Sequence, residues 1–129
     1  MMKYHFYMEI NELTEIIIGC CYEVYNSLGY GFLEKVYENA LCVELKQKKI
    51  KVEQQKKLTV FYKEEIVGEY IADLIVDDRV VVELKTIEKL AQIHRSQVLN
   101  YIKATNKKLG LLINFSPVTV EVKRIANGV

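Results

Sequence analysis

Gly68-Glu-Tyr-Ile-Ala-Asp73-Leu-Ile-Val-Asp77-Asp78-Arg79-Val-Val-Val-Glu83-Leu-Lys85 is the stretch whose reading decides the fold. It reads as two apolar strands joined by a short polar turn at Asp77-Asp78-Arg79. Asp73, Glu83 and Lys85 sit inside runs that otherwise look fully buried. An unpaired charge in such surroundings costs roughly several kcal/mol or more unless something compensates it. Either the three groups neutralise one another as a structural ion cluster, or a cation and a substrate complete the set.

The turn decides whether the carboxylates meet. Glu83 and Lys85 are two apart on one strand and share a face, while Leu84 points the other way. A two-residue turn at Asp77-Asp78 would pair Val76 with Arg79 and leave Glu83 on the far face from Asp73. A three-residue loop over 77–79 pairs Val76 with Val80 and sets Asp73 across from Glu83. Such loops combine a type I turn with a residue in the left-handed region, which Asp tolerates better than most. If the site is real, the loop is three residues long or carries a bulge. Two adjacent carboxylates then repel unless a divalent cation lies between them. Their hard oxygens suit Mg²⁺ or Mn²⁺, with the Lys85 charge beside them for a phosphate oxygen or a water.

Composition narrows the class. The chain has 129 residues, half of them hydrophobic, enough for one domain over 1–129 with an adequate core. A net charge of +1 gives no global basic field, so any nucleic-acid surface is local. The clusters that could form one are Lys89, His94, Arg95, Lys103, Lys107 and Lys108, and separately Lys46 to Lys57. No apolar run reaches the length of a membrane span, and the first residues lack a signal-peptide pattern. Cys20, Cys21 and Cys42 form no C-x-x-C pair and fall in helix-like apolar segments, as expected of buried free thiols in a reduced, cytoplasmic protein rather than a zinc site.

Along the chain, residues 1–10 read as an N-terminal arm. Asn11 is the expected N-cap of a helix with Leu13, Ile16, Ile17, Cys20, Val24 and Leu28 on one face, stopped by Gly29. A second helix places Leu33, Val36, Tyr37, Ala40, Leu41 and Leu45 inward, with Glu34 one turn before Glu38. A strand bent near Gln54-Gln55 precedes the hairpin. A third helix, from Leu90 or Ala91 to Thr105, has Ile93, Val98, Leu99, Tyr101 and Ile102 as core positions. An all-apolar strand over 109–114 and an alternating one over 118–125 follow. Helix, helix, three strands, helix, two strands gives an α/β (α+β) fold with a central mixed sheet.

The order helix, three-strand meander, helix, strand, with Asp73 and Glu83-x-Lys85 on adjacent strands, resembles the restriction-endonuclease-like core of the PD-(D/E)XK nucleases. Ala72 stands where the signature has proline. Gln97-Val-Leu-Asn-Tyr101 is similar to the Q-x-x-x-Y motif of RecB-like members. Gly31-Phe-Leu-Glu34-Lys-Val-Tyr37 is similar to the motif that names the GxxExxY protein family. The resemblance implies a metal-dependent nuclease acting on nucleic acid, DNA before RNA. Asp73, Glu83 and the Leu84 carbonyl would hold Mg²⁺ (or Mn²⁺), and Glu34 would reach a metal or its water. Lys85 would orient the attacking water or stabilise transition-state charge. Gln97, Tyr101, Tyr37 and His94 would support the site or hold substrate, and so small a chain would act as a homodimer to grip a duplex. The plainer expectations are Glu34 favoured by the helix dipole, Tyr101 as a core aromatic, Gln97 as a surface amide and His94 solvated. The alternative function is an inactive nucleic-acid-binding or homodimeric interaction module on the same fold.

Overall fold

The structure is a computed structural model in which residues 8–127 are described. Seven residues of the arm expected over 1–10 therefore lie outside the described residues. Ile10 already belongs to the first helix, α1 (Ile10–Leu28), so Glu9 rather than Asn11 stands at the N-cap. Then follow α2 (Glu34–Gln47), β1 (Val52–Tyr62), β2 (Glu65–Val76), β3 (Val80–Lys85), α3 (Gln92–Ala104), β4 (Leu109–Phe115) and β5 (Val120–Ala126). The five strands form one mixed sheet in sequential order, antiparallel except for the parallel pair β3 and β4. Only that parallel pair needs a crossover, and α3 supplies it.

Helices cover both faces, as the α+β expectation requires. Leu13, Ile17, Cys20, Leu41 and Leu45 of α1 and α2 pack on one side of the sheet, against Leu74, Val82, Leu111 and Phe115. Val98 and Ile102 of α3 pack on the other, against Ile75, Val81 and Leu112. All seven residues of β4 are buried, which explains its uninterrupted apolar sequence. Buried Asn114 at its end bonds both the N–H and the C=O of Ile87, and so fixes the linker leaving β3. Cys20, Cys21 and Cys42 are free and buried, and burial pushes each thiol above its ordinary pKa. Among the described residues, no helix is long and apolar enough to cross a membrane.

The turn between β2 and β3 has the predicted register, Val76 opposite Val80. Its conformation differs from the expected type I turn. Both Asp77 (φ 53°) and Asp78 (φ 59°) are left-handed, and the Arg79 N–H closes onto the Val76 carbonyl at 3.0 Å. Two successive left-handed residues match the twist of the flanking strands, and Arg79 is the extra residue that keeps the odd loop length. The β1 bend also falls where the sequence placed it. Gln55 has φ 51°, and Gln54 and Lys56 pair normally on either side. Face alternation breaks at this point. Leu74 and Val76 face α1 and α2, whereas Tyr70 and Ala72 face α3, although all four occupy even positions.

Four expected core positions are exposed. Ile93 lies roughly 140° around the α3 axis from Val98 and roughly 180° from Ile102, so it points to solvent. Val36 is roughly 140° from Leu41 on α2, and Leu33 precedes that helix as its N-cap. Val118 lies in the turn before β5, which starts at Val120 rather than at 118.

At Gly110 the sheet lies tight against α3. A Cβ there would lie 2.7 Å from Val98 Cγ1 and 3.4 Å from Ile102 Cγ2. Gly110→Ala is expected to lower stability by about 1–3 kcal/mol in urea unfolding. Adding Val98→Ala removes the clash, so the double variant should lose less than the sum of the two single losses.

Candidate functional site

The β2–β3 ladder runs only from Val76–Val80 to Leu74–Val82. Beyond it the strands part, and their side chains take over the hydrogen bonds that the ladder no longer makes. The Leu84 N–H donates to Asp73 Oδ2 at 2.8 Å, and the Asp73 N–H donates to Glu83 Oε1 at 3.1 Å. Each carboxylate thus accepts a backbone donor of the opposite strand that would otherwise be buried without a partner. Asp73 and Glu83 are brought together, as the register required.

They are not neutralised by Lys85. Among the described residues, the ion pairs join Lys35 to Glu38, Lys51 to Asp78, Lys56 to Glu53, Lys57 to Glu69 and Arg79 to Asp77; none joins Lys85 to either carboxylate. The closed structural ion cluster is therefore absent from this arrangement. Lys85 is close enough to lower the pKa of Asp73, Glu83 and Glu34 through its charge, but it does not offset the opposing effects. Burial, and next the charge of Asp73, push the Glu83 carboxyl up to about 7. Burial also raises Asp73 against the pull of the Leu84 N–H. Glu34, in the first turn of α2, is raised by partial burial and by Asp73, and so belongs to the same electrostatic group.

The other predicted residues divide. Tyr101 stacks on Tyr70, ring centroids 3.6 Å apart and planes 13° apart, and the Tyr70 hydroxyl donates to Glu83 Oε1. Gln97 lies on the exposed side of α3. His94 accepts the Ala91 N–H on Nδ1 at 2.9 Å and caps its own helix. Tyr37 is fully buried, stacks on Phe115 at 4.4 Å, donates to the Gly29 carbonyl and accepts the Phe32 N–H. It thereby holds the loop containing Gly31 (φ 113°), a conformation suited to glycine, from which Glu34 enters α2.

Three participants were not singled out from the sequence. Tyr70 read as one more apolar strand residue. Glu38 is 3% exposed and accepts from Lys35 at 2.8 Å and from Gln54 and Gln55, each at 2.7 Å. Gln55 also reaches Asp73 Oδ1 at 3.5 Å. The only signal for this chain was the Glu34-to-Glu38 spacing together with the paired glutamines. Among the described residues, no three His, Cys, Asp or Glu side chains converge on one point as a ready-made metal cage. A cavity of about 350 Å³ lined by Glu9, Arg79 and Lys107 lies at the far end of β3 and includes none of these groups.

Comparison with known proteins fits this geometry. A family model described as PD-(D/E)XK nuclease superfamily matches residues 11–125. No curated protein matches in sequence. Among solved structures, the crystal structure of SSO0001 superposes with a TM-score of 0.58 at 18% identity. The match covers 92% of this chain and 60% of that protein, so the likeness is one of fold.

Unfolded glutamates titrate near 4.5, whereas folded Glu83 holds its proton to about 7. The stability this contributes is complete below about pH 4.5 and is lost as pH rises through about 7. Glu83→Gln keeps the acceptor and cannot ionise. In chelator-treated protein its stability relative to wild type should therefore rise across that window, as followed by urea unfolding. A constant difference would contradict the raised pKa.

Proposed function

Since the chain belongs to the PD-(D/E)XK nuclease superfamily, we propose that it is a Mg²⁺- or Mn²⁺-dependent nuclease that hydrolyses phosphodiester bonds, with DNA as substrate. The observation that carries the proposal is the pairing of Asp73 and Glu83 on parting strands without a counter-charge between them. Two carboxylates held above their ordinary pKa, Glu83 by burial and the charge of Asp73, and Asp73 by burial and the charge of Glu38, fit a hard divalent cation, whose charge relieves the repulsion.

Asp73, Glu83 and the Leu84 carbonyl are the proposed ligands, and Glu34 is the proposed partner of an ion-bound water. When bound, the ion supplies an activated water and stabilises charge on the phosphate oxygens. Lys85, two residues from Glu83 on the same face of β3, then holds the attacking water or a non-bridging phosphate oxygen through its ammonium group. Gln97, exposed on α3 one turn before Tyr101, contacts the substrate backbone. Three buried free thiols support a reducing, cytoplasmic location.

Cleavage of single- and double-stranded DNA and RNA with Mg²⁺ or Mn²⁺ tests the proposal. Lys85→Ala is expected to cut about 10²–10³-fold more slowly than wild type. Glu83→Ala is expected to lose stimulation by the ion. A Glu83→Ala protein that cleaved as fast as wild type would overturn the assignment. Salt-dependent DNA binding with no cleavage would favour the inactive binding module.

A further inference from the structure

Glu83 Oε1 receives two protein donors, the Asp73 N–H at 3.1 Å and the Tyr70 hydroxyl. Two donors occupy both lone pairs of that oxygen, which leaves Oε2 as the oxygen still able to bind a ligand. Tyr70 is 8% exposed and its ring is clamped against Tyr101, so the hydroxyl cannot easily swing away. On the opposite strand, Asp73 Oδ2 is engaged by the Leu84 N–H at 2.8 Å. The carboxylates therefore present a small number of oriented single oxygens rather than two open chelating groups.

Building on the cation site proposed above, we infer that Tyr70 is a positioning residue that makes Glu83 a one-oxygen ligand and so biases the site towards a small octahedral cation over a larger one. Mg²⁺ demands near-ideal octahedral geometry and keeps several of its waters, so single carboxylate oxygens suit it. Ca²⁺ accepts more ligands in looser geometry and takes both oxygens of a carboxylate readily. Without the Tyr70 hydroxyl, Glu83 Oε1 keeps only the Asp73 N–H, and the carboxylate is free to turn both oxygens towards a large ion. The stack on Tyr101 ties this control to α3, a helix that contributes no ligand of its own to the proposed set.

The test is calorimetric titration of Mg²⁺ and of Ca²⁺ into wild type, Tyr70→Phe, Tyr101→Ala and Leu13→Ala, without substrate. Tyr70→Phe keeps the buried ring. It is expected to shift the ratio of Mg²⁺ to Ca²⁺ affinity towards Ca²⁺ by about 10-fold, the scale on which outer partners of metal ligands act. Tyr101→Ala, which frees the Tyr70 ring while leaving its hydroxyl, should shift the ratio the same way by less. Leu13→Ala, in the core on the opposite side of the sheet from α3, should lower stability and leave the ratio unchanged, since a purely structural change has no reason to distinguish two divalent ions. Wild-type binding with an unchanged ratio in Tyr70→Phe overturns the role of Tyr70 and leaves the cation site standing. Failure of wild type to bind either ion overturns the cation site, and this inference with it.

Discussion

The parting of β2 from β3 after the Leu74–Val82 pair is the constraint on which the rest of the site depends. A buried backbone N–H without an acceptor costs about as much as a lost hydrogen bond, and the two strands expose one each where their ladder stops. Asp73 and Glu83 satisfy those donors reciprocally, and in doing so they are drawn into the same small volume. Their proximity is thus built into the backbone hydrogen bonding. The cost is electrostatic: burial and the charge of Asp73 raise Glu83, burial and the charge of Glu38 raise Asp73, and the arrangement persists because the surrounding packing over-determines it.

That packing comes from both helical layers. From the α2 side, Glu38 holds Gln54 and Gln55, and Gln55 sits left-handed opposite the Asp73 bend. From the α3 side, Tyr101 supports Tyr70, which bonds Glu83. The switch of face along β2 makes this division possible. It lets Leu74 and Val76 serve one core and Tyr70 and Ala72 the other, with Asp73 at the crossover. Tyr37 adds a third restraint by fixing the loop from which Glu34 projects.

How much of this was legible in the sequence follows from what kind of signal each part leaves. Element order, the mixed sheet and the Val76–Val80 register could be read, because periodicity and the parity of a turn are one-dimensional properties. The meeting of Asp73 with Glu83 followed from that parity. The left-handed pair at Asp77-Asp78 was not foreseen, since a turn without glycine gives no strong sign of two positive φ values. Nor were the roles of Tyr70 and Glu38. Alternation assigns Tyr70 to the face of Leu74 until the break at Asp73 reverses it, and nothing in a helix pattern marks Glu38 as buried. Ile93 failed for a simpler reason: its angular position on α3 opposes Ile102, and apolar type alone does not bury a residue.

The most direct test of the central claim is the anomalous difference map of a crystal grown with Mn²⁺. A divalent ion between the Asp73 and Glu83 carboxylates predicts one strong peak there, within bonding distance of both and of the Leu84 carbonyl, with Lys85 directed past it towards solvent. A map with no peak at that position, and the Lys85 ammonium lying between the two carboxylates instead, would show that the charges serve to neutralise one another and would contradict the metal site.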